Sequence, residues 1–527
     1  MQLWQLLEGI EGVRLSGDPG TSIRGLAYDS RAVEPGFLFA ALRGQKRDGN
    51  DYVDQAIDKG AAAVLSDRGP GRLEKKVAWA QAENERRGLA MAARNYYGRP
   101  DRQMRMIGVT GTNGKTTVCF LLEAILKEAG LKPCLLGTVL YRYNRDETKA
   151  GRTTPESLDL HRLLDRYATG GARSCAMEVS SHALALDRAA GIDFEAGVFT
   201  DLTQDHLDFH GTMERYFDAK AILFRNLSRS AVAVLNADDA HAERLRPLTA
   251  ARVVTFGQSE AADVRLESIG ATITGTEVTL SIAAVVEPSG GGAGRAGTRA
   301  TKAAQAARTL EIRSPLLGRP NAFNIAAATA TSLALGVAPD AVARGLATVG
   351  GVPGRFERID EGQSFTVLVD YAHTDDALRN LLMAVRDLRP RRVLTVFGCG
   401  GDRDKGKRPL MGFAAGSGSD VVIVTSDNPR SEDPMAIIQA ILPGIRRSRA
   451  GDTRGPSDQE RCFVIPDRKE AIRRAVSLAE ERDCVVIAGK GHETYQILGE
   501  RTIPFDDREV AREILRAARP SRNHAAG

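Results

Sequence analysis

Met104-Arg105-Met106-Ile107-Gly108-Val109-Thr110-Gly111-Thr112-Asn113-Gly114-Lys115-Thr116-Thr117 is the stretch on which the fold of this chain turns. The apolar run Met104 to Val109 predicts a buried strand. The glycines that follow predict a turn, and the amphipathic stretch Thr116 to Ala129 predicts a helix. Strand, glycine turn and helix in this order form the setting of a phosphate loop. Glycines let backbone N–H groups approach phosphate oxygens, and the new helix adds partial positive charge at its N-terminus. Lys115 offers a point charge for the β- and γ-phosphates, and the Thr116 hydroxyl a ligand for Mg²⁺. The spacing is the tight Gly-x-x-Gly-Lys-Thr, with Val109 standing where the longer motif has its first glycine. ATP or GTP is the expected ligand.

Working outward, strands and helices alternate along the chain, which predicts an α/β protein with mostly parallel sheets. At 527 residues the chain is long enough for three domains. A small N-terminal α/β domain is expected over 1–103, with a short buried strand near Ala61–Ser66 and a helix near Glu83–Tyr97. Pro100 and Asp101 then punctuate the chain. A central ATP-binding domain with a parallel sheet is expected over 104–350. It includes the strand Ala231–Leu235 and an Ala-rich helix Asn324–Leu335. A C-terminal Rossmann-like domain is expected over 351–527, with strands near Phe365–Val369, Arg392–Phe397, Asp420–Thr425 and Cys484–Ala488. Between the central elements lies Pro288 to Ala307, rich in Gly, Ala, Thr, Arg and Lys. Its composition has little to bury, so a mobile surface loop inserted into a β-hairpin or sheet edge near 288–307 is expected.

Composition excludes several functions. The formal net charge of +5 is small for this length, and no basic stripe carries interleaved aromatics, so nucleic acid is not an expected partner. No apolar run is long enough to span a membrane. Met1-Gln2-Leu3-Trp4-Gln5 has no basic, then apolar, leader pattern. None of the six cysteines forms a Cys-x-x-Cys pair, which argues against metal fingers and thioredoxin chemistry and for buried thiols in a reducing cytoplasm.

Further words lie in order along the chain: Asp29-Ser30-Arg31, Thr153-Thr154-Pro155-Glu156, Glu178-Val179-Ser180-Ser181-His182, Asp205-His206-Leu207-Asp208, Asn321 and Asn324, Asp370-Tyr371-Ala372-His373, Asp427-Asn428-Pro429-Arg430 and Gly489-Lys490-Gly491-His492-Glu493. Together with the phosphate loop they resemble the Mur ligase family, ATP-dependent amide-bond ligases of peptidoglycan precursor synthesis. The resemblance covers nearly the whole chain. It implies phosphoryl transfer from ATP to a carboxylate, then attack of an amine on the acyl phosphate, catalysed mainly by positioning and charge neutralisation.

The resemblance also implies residue roles. Gly111, Thr112, Asn113, Gly114, Lys115, Thr116 and Thr117 would cradle ATP, Asn321 would meet adenine, and Arg355 and Asp370 would close over phosphate and ribose. Thr116, Glu178 and His206 would hold Mg²⁺, and Lys115, Glu178, His206 and Lys220 would serve catalysis. Lys220 matches a lysine that is carbamylated by CO₂ in the family; read alone, it is a helix-surface lysine. Ser30, Thr153, Thr154, Ser180 and Arg188 match contacts to UDP-N-acetylmuramoyl-L-alanyl-D-glutamate. Leu186 and Asp375 depart from the family pattern.

The loop Asp427-Asn428-Pro429-Arg430 resembles the signature of members that add meso-diaminopimelate. Arg430, assisted by Arg403, would clamp the far carboxylate of that substrate through parallel hydrogen bonds. Asp427, Asn428 and Pro429 complete the loop, while Glu493 and the Gly489 carbonyl would receive the far ammonium. An L-lysine-adding ligase, a folylpolyglutamate synthase and a non-catalytic nucleotide-binding scaffold are the other readings weighed. Arg430 opposes the first, the N-terminal block the second, and the retention of Lys115, Glu178 and Lys220 the third. A monomer is expected from the family.

Overall fold

The computed structural model describes residues 1–44, 47–73, 76–272, 274–286, 308–449 and 461–518. Its centre is the strand Arg105–Thr110, followed by the helix Lys115–Glu128. The strand is almost wholly buried because parallel neighbours flank it on both sides, Ser174–Glu178 and Ala196–Phe199. This explains why it reads as a continuous apolar run. The helix turns Val118, Leu121, Leu122 and Ile125 into a core shared with the Ala-rich helix Arg319–Ala334. That second helix begins at Arg319, not at Asn324 as its sequence periodicity suggests. Pro320 sits in its first turn, where a residue with no N–H to donate is tolerated.

The central sheet has eleven strands and is parallel only in its middle. From Val264–Thr272 to Pro133–Leu136 every neighbour runs parallel. At one edge Gly275–Ile282 and Arg308–Ser314 run antiparallel, and at the other Leu140–Tyr143 and Asp146–Lys149 do the same. The expectation of a parallel central sheet is corrected to this extent. Short links such as Tyr143 to Asp146 can only reverse the chain, whereas a parallel neighbour needs a long crossover. The tract 288–307 lies outside the described residues; the strands that flank it in sequence, Gly275–Ile282 and Arg308–Ser314, are antiparallel neighbours.

Two further sheets stand on either side of the central one in sequence. The N-terminal sheet has five strands, ordered Arg14–Ser16, Ala78–Gln81, Ala63–Ser66, Phe37–Ala40 and Gly25–Ala27. The C-terminal sheet has six, ordered Glu357–Ile359, Thr366–Asp370, Cys484–Ala488, Val393–Phe397, Val421–Val424 and Cys462–Val464. All its pairs are parallel except the first. Ligands of such sheets bind beyond the carboxyl ends of the strands. Three strands end there in Asp370-Tyr371-Ala372-His373, Asp427-Asn428-Pro429-Arg430 and Gly489-Lys490-Gly491-His492-Glu493. Two of those ends are tied from behind. Buried Arg468 holds Asp507 through Nε (2.8 Å) and Nη2 (2.7 Å) and donates to the carbonyl of Ala488 (2.9 Å) and, at 3.5 Å, of Ser426. Among the described residues no helix is long and apolar enough to cross a membrane.

One buried group is set against the fold. His161, on the helix Ser157–Thr169, is 0 % exposed, and among the described residues neither ring nitrogen has a hydrogen-bond partner. Burial, reinforced by the charge of Arg94, pulls its pKa from 6.5 to about 3. The folded value lies below the unfolded one, so protons favour the unfolded chain. Stability is therefore complete above the unfolded pKa and is lost as pH falls from 6.5 toward about 3. His161→Leu is expected to change the denaturant midpoint little at pH 8. At pH 5 it should gain about 2 kcal/mol on the parent protein, read by urea denaturation at both pH values.

Candidate active site

The loop between strand Arg105–Thr110 and helix Lys115–Glu128 has a shape only glycine permits at two points. Gly111 has φ +150°, and a methyl group there would lie 1.8 Å from Thr200 Oγ1. Gly114 has φ +81°, and a methyl group would lie 2.5 Å from Asn324 Oδ1. The loop is braced from the next parallel strand, Ala196–Phe199, by residues at its carboxyl end. Asp201 Oδ1 accepts from the backbone N–H of Thr112 (2.9 Å) and Asn113 (2.7 Å), and Oδ2 from Asn113 Nδ2 (2.8 Å). The Thr200 hydroxyl donates to the Asn113 carbonyl at 2.6 Å. Burial pushes the Asp201 carboxyl up, while the Asn113 hydrogen bonds, Lys115 and Lys220 oppose the shift. The first turn of the helix has N–H groups with no acceptor inside the helix, and Lys115, Thr116 and Thr117 line a cavity of about 600 Å³.

Two lysines meet at this loop. Lys115 Nζ donates to the carbonyls of Gly111 (3.0 Å) and Thr112 (2.8 Å), and burial lowers its pKa. Lys220, from the helix Met213–Arg225, is 1 % exposed and donates to the same Gly111 carbonyl at 2.6 Å. Its ammonium lies 4.4 Å from the Tyr216 ring centre. Burial first, and the charge of Lys115 second, hold Lys220 well below the usual lysine range.

Glu178, at the end of strand Ser174–Glu178, is 1 % exposed and faces the same cavity. Its Oε1 accepts from the Thr138 N–H (2.7 Å) and its Oε2 from the Thr138 hydroxyl (3.0 Å). His206 also lines the cavity, in a left-handed conformation (φ +53°), with Nε2 3.4 Å from Asp205 Oδ2. Burial lowers its pKa. Asn321 and Asn324 lie one turn apart at the start of the Ala-rich helix. Asn324 Nδ2 donates to Asn321 Oδ1 (2.9 Å), and Asn321 Nδ2 donates to the Leu317 carbonyl (2.8 Å). From the C-terminal block, Arg355 stacks 4.7 Å from the Tyr371 ring centre. Asp370 accepts from the N–H groups of Phe356 (2.7 Å) and Ala372 (2.8 Å), and burial raises its pKa. The cavity wall thus comes from two sheets.

The expected sugar-nucleotide contacts do not form one cluster. Thr153 and Ser180 line the cavity. Thr154 is buried behind it, its hydroxyl donating to the Glu178 carbonyl (2.8 Å) and accepting from the Ser180 N–H (3.1 Å). Arg188 is also buried, with Nε 3.3 Å from Glu156 Oε2. Ser30 belongs to the N-terminal block, where its hydroxyl donates to Gln55 Oε1 at 2.7 Å.

The expected amino-acid contacts form a group of their own outside the cavity wall. Arg430 is held left-handed (φ +53°) by a parallel bridge to Leu498. Its N–H donates to the Ile497 carbonyl (3.2 Å), and its own carbonyl accepts from the Gly499 N–H (2.8 Å). The guanidinium spends Nη1 on the Gly401 carbonyl at 2.7 Å. Gly400 separates it from Arg403, and a methyl group there would lie 3.0 Å from Arg430 Nη1 and 3.8 Å from Arg403 Cγ. Arg403 is exposed, and its Nη1 donates to the Asp402 carbonyl at 3.4 Å. Asp427 and Asn428 are buried, and Asn428 Nδ2 donates to Glu493 Oε2 at 2.9 Å. Gly489 packs against Asp427, where a methyl group would lie 3.1 Å from Oδ2.

Three family profiles match in order: the Mur ligase family catalytic domain over residues 22–97, the Mur ligase middle domain over 109–332, and the Mur ligase glutamate ligase domain over 354–491. The chain belongs to the Mur ligase family. A relative from Solibacter usitatus, named UDP-N-acetylmuramoyl-L-alanyl-D-glutamate–2,6-diaminopimelate ligase, is 48% identical over 94% of each chain. A Geobacillus thermodenitrificans relative of the same name is 44% identical over 98% of this chain and all of its own. A solved structure of a ligase of that name superposes with a TM-score of 0.67 at 31% identity, covering 98% of this chain and 99% of the other. The ADP complex of MurF from Thermotoga maritima shares the fold at 20% identity, with a TM-score of 0.59.

Mur ligases are ATP-dependent, and in this one sequence reading missed several groups that shape the nucleotide end. Asp201 and Thr200 lie outside the phosphate-loop word, and Thr138, which fixes Glu178, lies in a turn without a motif. The usable signal for Asp201 is topological: a carboxylate just past the carboxyl end of a parallel strand stands where ligands bind. Asp201→Asn keeps one acceptor oxygen but turns a donor toward the Asn113 amide. Charge-assisted hydrogen bonds of this kind contribute roughly 1.5–3 kcal/mol. ATP affinity measured by calorimetry is expected to fall about tenfold or more in Asp201→Asn.

Proposed function

We propose that this chain is the ATP-dependent, ADP-forming ligase that joins meso-2,6-diaminopimelate to UDP-N-acetylmuramoyl-L-alanyl-D-glutamate in peptidoglycan precursor synthesis. The observation that carries this reading is the group around Arg430. Its backbone is pinned on both sides and its guanidinium donates to the Gly401 carbonyl, while the Glu493 carboxylate is tied to Asn428 of the same loop. Such an arrangement suits a ligand end that carries both a carboxylate and an ammonium. The likeness to ligases named for diaminopimelate supports it.

In this reading the helix N-terminus and Lys115 hold the β- and γ-phosphates, Asn321 meets adenine, Arg355 meets phosphate, and Asp370 meets ribose. The γ-phosphoryl group passes to the free carboxylate of the UDP-linked dipeptide and ADP leaves. The amine of diaminopimelate then attacks the acyl carbon, an amide bond forms and phosphate departs. Thr116 and Glu178 offer hard oxygen donors on one cavity wall, and His206 an imidazole nitrogen, a set that fits Mg²⁺. When bound, Mg²⁺ neutralises phosphate charge as it shifts during transfer. Ser30, Thr153, Thr154, Ser180 and Arg188 hold the nucleotide-sugar peptide. We take the domains as 1–103, 104–350 and 351–527, the site of action as the cytoplasm, the protein as a monomer, and the product as feeding wall synthesis in growth and division.

Lys220 is assigned as a carbamylated lysine. The ammonium first gives up one proton. The neutral amine then attacks CO₂, a C–N bond forms as one C–O π pair moves onto oxygen, and a second proton leaves the nitrogen. Two protons are released, and the former cation ends as an anionic carbamate. Burial beside Lys115 favours the neutral amine this step requires. Lys220→Ala is expected to lose activity and to regain part of it when a short-chain carboxylic acid is added; a variant as active as the parent without rescue refutes the assignment.

The alternatives fare less well. L-Lysine has no distal carboxylate and would leave Arg430 unpaired, a penalty that supports discrimination of roughly 10⁴-fold. Folylpolyglutamate synthases share the fold at 19% identity over 77% of this chain. Phosphate release that needs ATP, the UDP-dipeptide and diaminopimelate together, with L-lysine inactive, is the expected result. Equal use of lysine, or release independent of the amino acid, would sink the reading. Arg430→Ala should lower kcat/KM for diaminopimelate at least about a hundredfold, or about 3 kcal/mol.

A further inference from the structure

The turn Gly489-Lys490-Gly491-His492-Glu493 contains a cation to which the reading above gives no role. Lys490 is 0 % exposed. Its Nζ donates to Asn428 Oδ1 (3.1 Å) and Glu493 Oε2 (3.1 Å) and lies 3.5 Å from Asp427 Oδ1. The Tyr495 ring covers it at 5.6 Å. All of its oxygen partners are on residues placed at the amino-acid end of the site. The same contact orients Asn428. Its Oδ1 faces Nζ and the Ile497 N–H (3.0 Å), so its Nδ2 must face Glu493 Oε2 (2.9 Å). Glu493 Oε2 is thereby engaged twice, while Oε1 accepts no hydrogen bond among the described residues.

Taken with Arg430 and without the exposed Arg403 at its edge, the charges of the hydrogen-bonded group balance. Asp427 and Glu493 contribute two negative charges, Lys490 and Arg430 two positive ones. The distal centre of diaminopimelate, one ammonium and one carboxylate, is also neutral. The far end of L-lysine is a lone cation. We propose that Lys490 is a positioning and specificity-determining residue. It turns Glu493 so that Oε1 is presented to the ligand ammonium, and it supplies the counter-charge that makes the group suit a zwitterion and not a lone ammonium. This rests on the diaminopimelate reading of the same site. Without Lys490 the group carries one net negative charge, which favours a cation that brings no carboxylate.

Lys490→Met keeps the length of the side chain and removes its charge. Phosphate release would be measured with diaminopimelate and with L-lysine, alongside the parent enzyme. The KM for diaminopimelate is expected to rise at least tenfold, with the KM values for ATP and the UDP-dipeptide within twofold of the parent. The ratio of kcat/KM for diaminopimelate over lysine should fall at least tenfold. A purely structural lysine would weaken all substrates alike and leave that ratio unchanged, which would overturn the proposal, as would an unaltered KM for diaminopimelate. If Lys490→Met does not fold, Lys490→Gln retains a donor for Glu493 and must show the same fall in the ratio. A parent enzyme that does not use diaminopimelate overturns the functional reading, and this inference with it. A parent that prefers diaminopimelate and a Lys490 variant that keeps the full preference overturns this inference alone.

Discussion

The Asp201 carboxylate under the loop 111–114 is the interaction on which the nucleotide end depends. Backbone N–H groups released from a strand must find acceptors or water. Here one buried carboxylate takes those of Thr112 and Asn113 and the Asn113 side chain as well. The residues of the helix's first turn, Lys115, Thr116 and Thr117, line the cavity. The same carboxylate is a counter-charge for two buried lysines, Lys115 and Lys220, which share the Gly111 carbonyl. Loop shape and charge balance are therefore set by one side chain. That side chain stands on the strand beside the loop's own strand, so the parallel pairing of Ala196–Phe199 with Arg105–Thr110 is a precondition for both.

The C-terminal sheet solves a different problem with similar means. Its strand ends bring Asp427, Asn428, Lys490 and Glu493 into one hydrogen-bonded group whose members are mostly buried. Buried charges persist when paired and hydrogen-bonded. Lys490 is paired in this way, and Arg468 with Asp507 does the same one layer deeper. The outer member, Arg430, is held by its backbone and by a single carbonyl contact. An inner neutralised layer and an outer cation fixed by the main chain make a surface whose shape is set by the chain's own contacts.

Much of this was legible beforehand, and for identifiable reasons. The strand 105–110 and helix 115–128 were visible because burial on both faces demands an apolar run and a glycine turn demands its glycines. The Asp427–Arg430 loop stood out because a short contiguous word after an apolar strand resembles a signature of the family. The Ala-rich helix starts at Arg319, before the expected Asn324, because Pro320 is tolerated in a first turn. Of the antiparallel edges of the central sheet, the hairpin strands flanking 288–307 were among the expected settings of that tract, whereas the edge formed by Leu140–Tyr143 and Asp146–Lys149 was not foreseen. An edge hairpin and a parallel strand have the same local propensity and differ only in how long the connection is.

The sequence by itself determined which chemistry is present: a phosphate loop, carboxylates and hydroxyls for a hard cation, and an arginine-bearing turn for a carboxylate. Those follow from residue type and short spacing, which the chain carries locally. Only the tertiary structure decided which of these groups meet. It joined Asp201 to a loop some ninety residues away, as the separations of its hydrogen bonds record, and Lys490 to Asp427 and Asn428 across more than sixty. It placed Thr154 and Arg188 behind the cavity wall and left Ser30 on a short 3-10 turn of the N-terminal block. The reason is that strand order, not sequence distance, sets which carboxyl ends lie side by side, and strand order is fixed by the packing of whole layers.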